Sequence, residues 1–126
     1  MGLLLDTATL IWWIYDARRL PAVALRAIEE DRVFVSSVTA MELATKLRIG
    51  KLPQVEGLVA GFAEHCAIER FEILPLRHEH ALRGGSVRAE HRDPFDRMLA
   101  GQAIVEELTI VSPDTAFETL GARRLW

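Results

Sequence analysis

Apolar residues recur along this chain in two rhythms: short aliphatic or β-branched runs, and longer stretches with helical spacing. Leu3-Leu4-Leu5, Val33-Phe34-Val35, Phe71 to Leu74 and Thr109-Ile110-Val111 read as strands, and Arg123 to Trp126 as an edge strand. Between them the pattern predicts helices. Asp6 and Thr7 give a start signal for one over Thr9 to Tyr15, and Pro21 opens a second reaching Glu30. Ser36 and Ser37 precede a third over Val38 to Ile49, stopped by Gly50. A single helix is expected from Pro53 to about Ala67, and another from His78 until Gly84-Gly85 breaks it. Ser86 to Arg92 reads as a loop. Asp93-Pro94 then starts a helix to about Glu107, and Asp114 to Leu120 forms a short last one. Strands alternating with helices predict an α/β domain with a mostly parallel sheet.

The 126 residues suit one domain over positions 1–126, without repeats or low-complexity segments. The single Cys66 excludes an intramolecular disulfide framework and a thiolate-rich zinc site, and fits a reducing compartment. The longest apolar run, Leu10 to Tyr15, falls far short of the ~20 residues that span a bilayer. The opening apolar residues meet Asp6 almost at once, with no basic stretch before them. A cytoplasmic protein with no membrane partner is expected. A net charge of −3 argues against a broad electrostatic grip on nucleic acid, but leaves room for a local site where a metal inverts the field.

In open parallel sheets ligands bind beyond the carboxyl ends of the strands, so acids at those places carry the chemistry. Asp6 follows the first strand directly, Asp114 follows the fourth, Asp93 and Asp96 open the long helix, and Glu42 lies inside the helix after the second strand. Asp6, Asp93 and Asp114 also read as simple caps. Glu42 lies too deep to cap, and its natural surface partner is Lys46, one turn on. Carboxylates crowded at one sheet edge repel each other, and a hard divalent cation such as Mg²⁺ or Mn²⁺ removes that cost. A haloacid-type phosphatase is excluded because Ala8 stands where its second acid is needed. A receiver domain is excluded because Leu74-Pro75-Leu76 offers no acid. His78-Glu79-His80 lacks metalloprotease spacing, and His65 and His91 are isolated. Trp12, Trp13 and Trp126 read as core or interface anchors.

The blocks Leu3 to Thr7, Ser36 to Ala44, Asp93 to Ala100 and Leu108 to Phe117 together resemble the signature blocks of PIN domains. In their order and spacing they are similar to the VapC type, the toxin half of a toxin–antitoxin pair. Ala8, Met41 and Ser112 stand where relatives often carry His, Trp and Thr. The resemblance implies a five-stranded parallel sheet flanked by helices and a metal-dependent endoribonuclease using Mg²⁺ or Mn²⁺. It also implies an RNA substrate, a homodimer and a cognate VapB-type antitoxin. Carried over, Asp6, Glu42 and Asp96 match the core acids, Asp114 the more variable fourth, and Asp93 a neighbouring acid. Thr7 and Ser112 are expected to orient ligands or waters, and Arg97, Lys46, Arg92 and His91 to contact phosphate. A housekeeping RNA-processing nuclease and a non-catalytic PIN scaffold stand as alternatives.

Overall fold

Three consecutive leucines form a strand only if both faces of the sheet are covered, because successive side chains point to opposite sides. That is their environment in the structure, a computed structural model describing residues 2–126. In β1 (Gly2–Leu5), Leu3 and Leu5 enter one core and Leu4 enters the other, all buried. β2 (Arg32–Ser36) repeats the pattern, with Val33 and Val35 beside Leu3 and Leu5, and Phe34 beside Leu4. Adding β3 (Glu72–Leu74), β4 (Thr109–Val111) and β5 (Arg123–Leu125) gives one all-parallel sheet in the order β3-β2-β1-β4-β5.

The chain therefore winds outward from β1 first one way and then the other. The order reverses beside β1, between β1 and β4, and open α/β sheets bind ligands at such a crevice.

The first core joins β1 and β2 to α1 (Thr7–Tyr15), α2 (Ala22–Glu30) and α3 (Ser37–Arg48) through Leu10, Ala24, Ile28 and Leu43. The second packs α7 (Pro94–Val105) and α8 (Ala116–Thr119) on the opposite face through Leu99, Ala103, Phe117 and Leu120. Asp6 caps α1, Ser36 caps α3 and Asp93 caps α7, each side-chain oxygen taking an amide at the start of its helix. Ile49 ends α3, and Gly50 follows with φ of 79°, as its stop signal predicted. Among the described residues no helix is long and apolar enough to cross a membrane.

The structure corrects two expected elements. Pro53 to Ala67 is not one helix. A short 3-10 turn over Pro53–Val55 leads to α4 (Glu56–Ala60), and Gly61 separates that from α5 (Phe62–Ile68). Nor does Gly84-Gly85 break its helix, since α6 runs through both as His78–Ser86. Contact with α7 is the reason. A Cβ at Gly84 would lie 2.1 Å from the Arg97 carbonyl oxygen, and one at Gly101 would lie 2.2 Å from that of His80. The glycines let two helix backbones touch, which offsets their low helix propensity. His80 pins the same crossing. Fully buried, its Nδ1 accepts from the Arg77 amide (3.0 Å), leaving Nε2 to donate to Glu106 (2.9 Å).

These contacts separate three neighbouring substitutions. Gly84→Ala and Gly101→Ala should each lower the unfolding free energy by about 1–3 kcal/mol, because rigid backbone must move. Gly85→Ala, with open space around it, should instead raise it by up to about 1 kcal/mol through helix propensity. Denaturant midpoints of the three variants measure the contrast.

Candidate active site

The end of β1 delivers Asp6 to the crevice, and its neighbours fix both carboxylate oxygens. Oδ1 accepts from the Thr9 amide (2.8 Å), and Oδ2 accepts from the Ser112 hydroxyl (2.5 Å). The Ser112 oxygen in turn accepts from the Asp114 amide (3.0 Å), so the loop after β4 and the end of β1 share one hydroxyl. The Asp6 amide continues the ladder to Val111 (3.3 Å), and the Thr9 hydroxyl donates to the same carbonyl (2.8 Å).

Glu42 reaches the crevice from α3, and it is buried, like Asp6. Thr7 donates to its Oε1 (2.7 Å), and Lys46 Nζ lies 2.6 Å from Oε2. Sequence spacing suggested that Glu42–Lys46 pair as a surface contact, whereas the structure places both residues in the wall of the cleft.

The N-terminus of α7 contributes the remaining acids. Asp93 takes the Phe95 amide on Oδ1 (2.9 Å), and Asp96 sits in the first turn, where the helix dipole favours negative charge. His91 Nε2 lies 2.9 Å from Asp96 Oδ2, so this histidine is paired rather than solvated. Asp114 caps the Ala116 amide (2.9 Å) from an exposed position. Asp6, Glu42, Asp93, Asp96 and Asp114 all line one cleft of about 420 Å³, together with Thr7, Lys46, Ile11, Trp12, Arg19, Leu52 and Gln54.

Burial and crowding set the protonation of this cleft. Burial pushes the Asp6 carboxyl above its ordinary range despite the Ser112 and Thr9 hydrogen bonds, and the charge of Glu42 adds to the rise. Asp96 is pushed up from 3.8 to about 6, chiefly by burial and then by the charges of Asp93 and Glu42, against the hydrogen bond from His91. These hard oxygen donors with too few cations among them suit a divalent ion. Among the described residues no three acidic or histidine groups converge closely enough to clasp an ion by themselves.

Arg97 belongs elsewhere. Sequence reading took it as a phosphate contact, but its guanidinium is spent on backbone. Nε donates to His91 O (2.6 Å), Nη1 to Gly84 O and Val87 O (both 2.9 Å), and Nη2 to Ala89 O. It ties the loop between α6 and α7 to α7 and so holds His91 against Asp96. Nothing in the sequence marks this role, because the carbonyl acceptors carry no side-chain signature.

Two outcomes follow. Because the folded pKa of Asp96 exceeds its unfolded value, the metal-free protein should lose stability as pH rises from about 4 to about 6, by up to roughly 2–3 kcal/mol from this group. Asp96→Asn removes that loss and should unfold at a higher temperature than the parent at pH 7.5 in EDTA. Arg97→Ala strips donors from four carbonyls and should lower the unfolding free energy by about 3 kcal/mol, read from denaturant midpoints.

Comparison with known proteins agrees with this geometry. A family model, the PIN domain, matches residues 3–122. The tRNA(fMet)-specific endonuclease VapC of Shigella flexneri is 30% identical over 105 residues, covering 77% of this chain and 76% of that protein. VapBC2 from Rickettsia felis, solved bound to a DNA fragment from its promoter, matches with a TM-score of 0.72 at 18% identity, over 99% of this chain and 98% of that one. DNA-bound VapBC from Salmonella typhimurium matches with a TM-score of 0.69 at 26% identity, over 99% and 97%. With its sheet order, its acidic crevice and a match over nearly its whole length, the chain belongs to the PIN-domain family, in the VapC type.

Proposed function

We propose that the cleft is the active centre of a metal-dependent endoribonuclease, with Asp6, Glu42 and Asp96 as its core acids, and that the chain is the toxin of a VapBC-type pair. The convergence of these acids on one cleft, with the Asp6 and Asp96 carboxyls raised by burial, carries this reading. Chains of this type are ribonucleases held in check by a VapB antitoxin. A binding-only scaffold would leave buried, mutually repelling carboxylates without a use.

Asp6, Glu42 and Asp96 would hold Mg²⁺ or Mn²⁺, with Asp114 and Asp93 at the rim of the same cleft. When bound, such an ion would draw charge from a phosphodiester and lower the pKa of a water, so that its hydroxide form is available for in-line attack. The residues of the chain set the geometry. Ser112 and the Thr9 amide orient Asp6, Thr7 and Lys46 orient Glu42, and His91 orients Asp96. In this reading Thr7 and Ser112 act through the acids they hydrogen-bond, Glu42 and Asp6, rather than on substrate. Lys46 neutralises part of the acidic charge. Asp93 and Asp114, each occupied as a helix cap, contribute charge and a free oxygen at the mouth.

The cognate antitoxin would block this site by setting a basic side chain among the carboxylates, replacing the charge of the ion with its own. The Shigella relative is named for tRNA(fMet), which makes initiator tRNA the first substrate to try. A homodimer in the cytoplasm completes the reading, and its mass in solution is the direct check.

Purified protein should cut RNA with Mg²⁺ or Mn²⁺ and lose all cutting in EDTA. Asp6→Asn and Asp96→Asn should each reduce the rate by at least about a thousandfold while remaining folded. Full activity in both folded variants would refute the assignment of these acids. Induction of the parent chain without its antitoxin should arrest growth, and induction of Asp96→Asn should not.

A further inference from the structure

The acidic cleft has a second, differently built part. Trp12 of α1 and Arg19 line it together with Gln54, and the Arg19 guanidinium carbon sits 4.3 Å from the centre of the Trp12 ring. The platform is fixed from below. Trp126 packs against Trp12 with ring centres 5.8 Å apart, and the turn that carries Arg19 is closed by hydrogen bonds from the Arg19 amide to the Asp16 carbonyl and from the Leu20 amide to the Ala17 carbonyl (both 3.1 Å). Leu20 anchors that turn in the core.

Three other cations in or beside the cleft are already committed. Lys46 is bound to Glu42, His91 to Asp96, and Arg97 to four carbonyls. Among the described residues no carboxylate or carbonyl accepts from the Arg19 guanidinium. A guanidinium lying on an indole uses its face for stacking, while its N–H donors stay in the plane of the group and free. That edge matches the two oxygens of a phosphate.

On the reading that this cleft cuts RNA, we infer that Arg19, held on Trp12, binds a backbone phosphate of the substrate outside the one being cleaved. With Lys46 bound to Glu42, Arg19 is the cation in the cleft lining whose donors are left for a phosphate.

The test uses a fluorescein-labelled, mixed-sequence single-stranded RNA and full-length protein in EDTA, with binding followed by anisotropy across a salt series. Arg19→Ala should weaken binding about tenfold and lower the slope of log affinity against log salt by about 0.7, the loss of one phosphate contact on a single strand. Arg19→Lys should keep the slope but lose part of the affinity, since an ammonium neither stacks flat nor binds two oxygens in a fork. With Mn²⁺ present, Arg19→Ala should raise KM much more than it lowers kcat. Unchanged slope and affinity in a parent that does bind and cut RNA would overturn the Arg19 assignment alone. A parent that neither binds nor cuts RNA would overturn the nuclease reading and this inference with it. Intact RNA binding with lost antitoxin binding in Arg19→Ala would assign the platform to the protein partner and refute the phosphate contact.

Discussion

Asp6 stands at the end of the central strand, where the strand order reverses, and a carboxylate buried there is opposed by desolvation and by the charge of Glu42. Much of the surrounding architecture serves to hold that charge. Ser112 comes from the strand on one side, the Thr9 amide from the helix that Asp6 itself caps, and Thr7 ties Glu42 to the same helix. The hydroxyl of Ser112 is fixed in its turn by the Asp114 amide. Asp6 is thus held by a neutral hydroxyl and an amide, and Glu42 in part by a hydroxyl, which position them without consuming their charge, while His91 holds Asp96. Lys46 adds a cation on Glu42 inside the cleft.

Such a site trades stability for function. Burial, and then the charges of Asp93 and Glu42, raise the Asp96 carboxyl to about 6 and so weaken the fold near neutrality, while leaving hard oxygen donors of the kind that suit a divalent ion. The opposing stability comes from elsewhere. The α6–α7 crossing, with Gly84 and Gly101 in backbone contact and His80 bridging to Glu106, fixes the helix whose first turn carries Asp96. Arg97 then fastens the preceding loop to that helix, so His91 and Asp93 arrive at the cleft mouth with their backbone already fixed.

The strands, three N-caps and all five acids could be read from the chain, because each rests on local chemistry. An apolar run bounded by Asp6 is a strand end whatever surrounds it, and Asp93-Pro94 starts a helix by φ restriction and capping alone. Gly84-Gly85 was misleading for the opposite reason. Its local signal says break, but the backbone of Arg97 lies where a side chain would be, so only glycine lets the helix stay and pack. The single helix expected over Pro53 to Ala67 failed at Gly61 because periodicity does not show where a helix must turn to follow the core.

By itself the sequence determined the fold class, the strands of the sheet and which acids to look for at the strand ends, since these depend on residue type and short spacing; that they line one cleft is a tertiary fact. Only the tertiary structure decided what the cations do. Arg97 looked like a phosphate ligand and is a backbone staple, Lys46 looked like a surface partner and stands in the cleft, and Arg19 carried no signal until Trp12 was seen beneath it. A long flexible side chain reaches acceptors many residues away, and its role depends on which of them the fold leaves within reach.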